Sequence, residues 1–269
     1  MTDRRDLFGD AVDDYDAGRP PYPERVYELL VERCGLGPGP GVRIVEVGPG
    51  TGQATGRLLA LGAAVTAVEL DERLAERLRS KHDGALLRVT IGAFEDADLS
   101  PASFDLVVAA TSFHWVDPTV GLIRAAEVLK AGGWLALWWN VFGDKSRPDP
   151  FGEALLPFIE ACPQLAADAP GAGAVPSGSH PYSLDVAARI GEIDATGRFG
   201  PVEHELIRWT GRHTPAQLRS LFASYSPWLA LPDATRLEML DTLESLARDT
   251  FAGVVERPYL TPVYLAPRQ

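Results

Sequence analysis

The chain has 269 residues, of which 46% are apolar and 23% charged, a globular balance that excludes disorder as its main state. Its 25 Lys and Arg against 37 Asp and Glu leave a formal net charge of -12. A surface that acidic repels phosphate backbones and anionic lipid, which argues against a general nucleic-acid or membrane-surface binder. Two cysteines, Cys34 and Cys162, cannot build a disulfide framework or a Cys-rich zinc site, and the five histidines lack the close spacing of a metal site. The first residues carry no apolar signal stretch, and no apolar run approaches the roughly 20 residues that span a bilayer, so the expectation is a soluble, cytoplasmic protein.

The first half alternates strand and helix patterns. Val42 to Val47 reads as a strand that runs into a Gly-rich turn, and Gln53 to Leu61 as a helix. Ala64 to Glu69 is a second strand, Asp71 to Lys81 an amphipathic helix with Leu74 and Leu78 on one face, and Leu86 to Ile91 a third strand. Phe104 to Ala110 is apolar nearly throughout, as a strand covered on both faces should be. A helix over Val120 to Leu129 follows, and Gly132-Gly133 opens a fifth strand from Trp134 to Val141. This alternation predicts a doubly wound α/β fold with a mostly parallel sheet.

The rhythm breaks after the fifth strand. Residues 143–200 read as an insertion on the substrate side: a linker, a short helix from Phe151 to Cys162 interrupted by Pro157, and a Gly/Ala/Pro/Ser-rich loop from Ala166 to Ser183 that contains His180. His204 to Thr210 is a candidate strand. Thr214-Pro215 starts a helix, with Thr214 as N-cap and Pro215 at the first helical position. Asp233 to Asp249 is a further helix, and Tyr259 to Leu265 a last strand.

The segment Glu46-Val-Gly48-Pro49-Gly50-Thr51-Gly52-Gln53 lies between a strand and a helix, the context that gives a glycine pattern meaning. Glycines tighten such a turn and let the backbone approach a ligand. Glu69 ends the next strand about 20 residues on, a spacing that suits a carboxylate accepting from ribose hydroxyls. Gln53 stands where a dinucleotide fingerprint has its third glycine. Glu46 is awkward beside a pyrophosphate and well placed for an ammonium, directly or through water. S-adenosylmethionine carries an ammonium and a sulfonium and no phosphate.

This pattern resembles the class I S-adenosylmethionine-dependent methyltransferases. The run Phe104-Asp-Leu-Val-Val-Ala-Ala-Thr-Ser-Phe-His-Trp-Val-Asp117 is similar to their type 11 group, which includes trans-aconitate methyltransferase-like proteins. Tyr15-Asp-Ala-Gly-Arg19-Pro-Pro-Tyr22-Pro resembles the same group, as do Tyr225-Ser226-Pro227 and Arg257-Pro258-Tyr259. The resemblance implies a Rossmann-like, seven-stranded sheet with one antiparallel late strand and helices on both faces, built as a single domain whose residues 1–24 form an N-terminal lid. It implies a cofactor set of Tyr15, Arg19, Glu46, Gly48, Pro49, Gly50, Thr51, Gly52, Gln53, Glu69, Leu70, Ala93, Phe94, Glu95, Ala110 and Thr111. Ala93 departs from the Asp or Asn common in relatives. Phe94 is either an adenine-packing ring or a core aromatic. Arg19 suits the methionine carboxylate of the cofactor or a carboxylate on the acceptor.

Tyr22, His114 and Trp115 are the acceptor-side candidates. His114 is the one candidate base, its alternative being a residue that orients a loop by hydrogen bonds. Methyl transfer from a sulfonium is an in-line displacement that relies on positioning and desolvation, and needs a base only where the acceptor must lose a proton. Arg19-Pro-Pro-Tyr22 is not the amine-methylating Asp/Asn/Ser-Pro-Pro-Tyr signature, because Arg has no acceptor. With the acidic charge, this favours a small-molecule acceptor over nucleic acid. Two other readings stay open: a cofactor-binding protein without turnover, and a nicotinamide-dependent oxidoreductase.

Overall fold

The computed structural model describes residues 12–37, 41–168 and 181–269. Its elements begin with α1 (Val12–Gly18), α2 (Glu24–Cys34), β1 (Arg43–Val47), α3 (Thr55–Ala60), β2 (Ala64–Glu69), α4 (Glu72–Lys81) and β3 (Leu87–Ile91). They continue with β4 (Phe104–Ala110), α5 (Pro118–Val128), β5 (Leu129–Trp138), β6 (Val141–Phe142), α6 (Pro150–Glu160) and α7 (Pro163–Asp168). The last are α8 (Val186–Ala195), β7 (Glu203–His213), α9 (Pro215–Ala223), α10 (Ser226–Leu229), α11 (Asp233–Asp249) and β8 (Val255–Pro267). The chain divides into two compact units: a sheet unit of Pro21–Asn140, Tyr182–Ile207 and Thr261–Gln269, and a helical unit of Met1–Pro20, Val141–Pro181 and Arg208–Leu260.

In the sheet unit the first five strands are parallel in the order β3-β2-β1-β4-β5, and the end of β8 runs antiparallel to β5, from Trp134 opposite Pro267 to Trp138 opposite Val263. The register Glu46–Ala67 and Glu46–Val108 aligns β1 with β2 and β4, so their carboxyl ends share one edge. Period-two alternation decides the faces. Ile44, Val65, Ala67, Leu106, Val108, Ala136 and Trp138 form one core with Val26, Leu29 and Leu30 of α2, while Val45, Val68, Val107, Leu135 and Leu137 are buried on the other side. Asp71 and Asp117 cap α4 and α5, each carboxylate accepting from two first-turn N–H groups.

The helical unit has its own core. Phe151, Leu155 and Ile159 of α6 meet Leu218, Leu221 and Phe222 of α9 and Leu240, Leu243 and Ala247 of α11. Here β6 pairs antiparallel with the start of β8, through Val141–Leu260 and Phe142–Tyr259, and β7 also pairs with β8. The expected cap at Thr214 is present as a reciprocal capping box with Gln217.

Four expectations change. Among the described residues the strands number eight rather than seven, because Val141 and Phe142 separate from β5 as β6. β5 starts at Leu129, with Gly132 at φ 75° inside it as part of an irregularity between the Phe104 and Leu106 pairings. Pro157 lies inside α6 without ending it. The described residues of 143–200 fall in both units: those up to Asp168 in the helical unit and those from Tyr182 in the sheet unit. Most of the loop expected from Ala166 to Ser183, including His180, lies outside the described residues, as do the first eleven residues of the expected lid.

Candidate active site

The glycine turn leaves β1 at the carboxyl edge of the sheet. Gly48, Gly50 and Gly52 have φ of 60°, 59° and 94°, the left-handed region that side chains resist. Space is short as well: a Cβ on Gly48 would lie 2.8 Å from Ser112 Cβ, and one on Gly52 2.6 Å from Leu78 Cδ1. Glu69 holds the turn from the next strand. Its Oε2 accepts from the Gly50 N–H at 2.9 Å and its Oε1 from the Asp71 N–H at 3.0 Å. Burial raises the Glu69 pKa, and these backbone donors oppose the rise.

Glu46 is fully buried on β1. Thr55 at the start of α3 donates to its Oε2 at 2.6 Å, while Oε1 has no hydrogen-bond partner. Burial, with Glu69 as a nearby like charge, pushes the Glu46 carboxyl up to about 7, against the Thr55 hydrogen bond. Polar atoms of this kind are paired in most folded proteins. A buried carboxylate oxygen awaiting a donor, beside a left-handed glycine turn, fits a cationic ligand group or the water that carries its contact.

The end of β4 forms the neighbouring wall. Thr111 sits at φ 58°, strained for a β-branched residue. Its Oγ1 accepts from Tyr22 Oη at 3.0 Å and from the Asn140 N–H at 3.2 Å. Asn140 in turn donates from Nδ2 to the Pro21 carbonyl and accepts from Thr261 at Oδ1. Ser112 donates to the Val47 carbonyl, tying β4 to the start of the glycine turn. Beyond it, the Trp139 indole N–H donates to His114 Nδ1 at 3.1 Å. Indole is a donor only, so a neutral His114 in this contact carries its proton on Nε2 and presents a donor there rather than a lone pair. The Trp115 ring lies 4.8 Å from His114, and Tyr182 lies 5.8 Å from Trp139.

Residues 45–137 match a family model described as a methyltransferase domain, of the type 11 group. An uncharacterized methyltransferase of Mycobacterium bovis is 28% identical over 246 residues, 90% of this chain and 87% of that protein. Among solved structures, a candidate type II methyltransferase from Anaeromyxobacter dehalogenans superposes with a TM-score of 0.58 at 21% identity, covering 93% of this chain and 96% of that one. Phosphoethanolamine N-methyltransferase 2 of Haemonchus contortus, in complex with phosphomonomethylethanolamine and S-adenosylhomocysteine, gives 0.57 at 14% identity, covering 99% of this chain and 60% of that one.

Residues 45–137 carry a methyltransferase domain.

The fold gathers most of the residues expected at the methyltransferase site in the sheet unit. Pro49, Gly50, Thr51 and Gly52 are buried in the turn, with the Gln53 amide donating to Thr51 Oγ1 at 2.9 Å. Leu70, just past β2, is 41% exposed, an open apolar surface beside Glu69. Ala93 precedes a 3-10 turn over Phe94–Asp96. Phe94 is only 3% exposed, so its ring serves the core rather than an open face. Glu95 accepts from the Asp117 N–H at 3.4 Å. Ala110 and Thr111 are half-buried, Trp115 is open, and Tyr22 is a strut under Thr111 with its ring edge-on to Trp138 at 5.8 Å. Tyr15 and Arg19 belong to the helical unit.

Thr55, Ser112, Trp139 and Asn140 hydrogen-bond to residues of the candidate site, and the sequence did not single them out. Thr55 was findable, since an N-terminal Thr nine positions after a buried Glu is within one strand–turn–helix unit. The others meet the turn only across the sheet. Among the described residues, no helix is long and apolar enough to cross a membrane, and no group of three or more His, Cys, Asp or Glu side chains is placed to hold a metal. Cys34 and Cys162 are buried free thiols.

Proposed function

We propose that the protein binds S-adenosylmethionine in the sheet unit and transfers its methyl group to a small-molecule acceptor. The observation that carries this reading is the Glu46 carboxylate, buried beside the left-handed Gly48–Gly52 turn with one oxygen unpartnered. A dinucleotide pyrophosphate would gain nothing from that negative charge, whereas the ammonium of an amino-acid cofactor would, through one bridging water. The Haemonchus enzyme, similar in fold, was solved with S-adenosylhomocysteine, which agrees with this choice.

Bound S-adenosylmethionine would supply a methyl group on a sulfonium, whose departure leaves a neutral thioether and asks for no acid. The chain's own residues then have positional work. The turn from Gly48 to Gln53 carries the backbone close to the ligand. Glu69, fixed beside the turn by the backbone donors of Gly50, Leu70 and Asp71, is suited to the ribose hydroxyls. Leu70 offers an apolar surface, and Ala93 and Glu95 stand at the next strand end. The acceptor heteroatom attacks the methyl carbon in line as the carbon–sulfur bond breaks, and its electron pair forms the new bond. With Nδ1 engaged by Trp139, His114 acts as a donor from Nε2 that orients the acceptor, rather than as the base that removes its proton. The net charge of -12 supports a small metabolite over an RNA or DNA acceptor.

Calorimetric titration with S-adenosylhomocysteine, with NAD in parallel, tests the cofactor. One-to-one binding of the adenosyl ligand alone is expected; preference for NAD would overturn the reading. Turnover of labelled S-adenosylmethionine with panels of acids, phenols and amines then separates an enzyme from a protein that only holds the cofactor.

A further inference from the structure

The helical unit contains a second polar cluster, well buried and unexplained by the glycine turn. Arg257 on β8 is 3% exposed. Its Nε and Nη2 donate to Asp149 Oδ1 and Oδ2 at 3.3 and 2.5 Å, and its Nη1 has no partner. Asp149 is fixed in turn as the N-cap of α6, accepting from the Gly152 N–H at 3.1 Å. Arg19, just after α1, donates from Nη2 to the Ser224 carbonyl at 3.3 Å, and its buried Nε has no partner. Its guanidinium lies 4.8 Å from the Tyr15 ring and 5.2 Å from that of Tyr225. The Tyr225 hydroxyl is buried and also has no partner.

These groups are contiguous. Phe222 lies 5.2 Å from Tyr225 and 5.8 Å from the Arg257 guanidinium, and Phe142 touches both Tyr225 and Tyr259. Tyr259 is already satisfied by His213 Nε2 at 2.8 Å. Arg19 Nε and Arg257 Nη1 are donors only, and the Tyr225 hydroxyl, which can also accept, has an O–H to donate, so an added acceptor can serve all three. Leaving even one such donor dry is costly, and three in one cluster is rare in a native protein.

Charge narrows the acceptor further. Arg19 and Arg257 are permanently cationic, and Asp149 cancels one of them. His213 stays neutral, held down at about 4 by burial and by Arg257, and burial holds the Tyr225 phenol well above its usual range, so no phenolate balances the second cation. Among these named groups one positive charge remains, matching a single monoanion rather than a phosphate dianion. Guanidinium and phenol donors converging on one negative charge suit a planar carboxylate.

We propose that Arg19, Tyr225 and Arg257 form a binding site for the carboxylate of a small-molecule ligand, lying wholly within the helical unit. The assignment stands apart from the cofactor reading, because it rests on none of the glycine-turn residues. The carboxylate is that of a separate carboxylic acid, and the test sets it against the amino-acid end of the cofactor.

The full chain, its R19Q and Y225F variants, and the double variant are compared by thermal shift and calorimetry. Acetate and benzoate are the free carboxylate probes, with benzamide as the uncharged match to benzoate and chloride at equal ionic strength. The second arm compares S-adenosylhomocysteine with 5′-methylthioadenosine, which lacks the amino-acid end. For a separate acid, acetate or benzoate stabilises the wild type, benzamide does not, and R19Q and Y225F each weaken binding by about tenfold or more. Variants that weaken S-adenosylhomocysteine by that factor, leave 5′-methylthioadenosine unchanged and bind no free acid differently from the wild type would overturn the assignment to a separate acid. Ligand-free Y225F should melt no lower than wild type, since it loses a hydroxyl without a partner. A lower melting temperature would mean that the hydroxyl is already satisfied within the protein and would remove Tyr225 from the site. Folded variants that bind every carboxylate as the wild type does would overturn the site.

Discussion

Glu46 is the residue on which the chemistry turns, and its protonation makes it testable. In the unfolded chain it titrates as an ordinary glutamate; in the fold it is raised to about 7 by burial. A raised carboxyl means that the folded state holds the proton more tightly. Its contribution is fully present below the unfolded pKa and is lost as pH climbs through about 7. E46Q removes that loss. The variant's unfolding free energy relative to wild type should grow from little at about pH 5 to roughly 3 kcal/mol in its favour at about pH 8, measured by urea titration without ligand. A cationic ligand reverses the preference by stabilising the carboxylate. Binding of S-adenosylhomocysteine to the wild type near pH 7 should then release protons, seen as a buffer-dependent calorimetric heat that E46Q lacks. Absence of that linkage would detach Glu46 from the ligand. Thr111 follows a different logic at the same scale. Its strain at φ 58° is offset by the two hydrogen bonds that its hydroxyl accepts, from Tyr22 and from the Asn140 N–H.

At the scale of elements, α6 shows how tertiary packing overrides a local breaker. Pro157 costs about 3 kcal/mol in a helix interior, but Phe151, Leu155 and Ile159, one turn apart and buried, each contribute about 2 kcal/mol. The helix therefore continues through the proline. P157A should raise stability by about 1–2 kcal/mol, less than the intrinsic difference because proline also restricts the unfolded chain, and denaturant midpoints will show it. The sequence displayed β1, β2, β4 and α11 nearly to the residue, because their apolar periods and flanking turns are local. It misplaced the start of β5, since Leu129 to Ala131 look like a helix end until β4 pairs with them. The site divides the same way. Glu46, the glycines and Glu69 belong to one continuous β–turn–α–β stretch and could be read together. Ser112, Trp139 and Asn140 acquire their roles only when the ends of β4 and β5 meet, and Arg257 becomes relevant only once it is buried against Asp149. No spacing in the chain announces either event.

For the molecule as a whole, the acidic balance bears on the acceptor. The site lies on a chain with a net charge of -12, so a polyanion would approach against a repulsive field. Filter binding with structured RNA and duplex DNA should show no retention at physiological salt. Salt-sensitive, saturable retention would signal a basic patch and reopen the nucleic-acid reading of the acceptor.

The strand β8 has a further consequence, which concerns how the protein is made. It is buried along almost all of its length and is the last strand in chain order, while its partner β5 is complete far earlier. During synthesis the apolar edge of β5, including Leu135, Leu137 and Trp138, stands without this partner until β8 has emerged. Such an edge is a template for pairing between nascent copies. β8 carries Pro258, Pro262 and Pro267, and each denies a backbone donor to a foreign strand. The same three prolines leave β8 with fewer backbone donors for any edge it meets before it reaches β5, which makes it a poor template for pairing between copies.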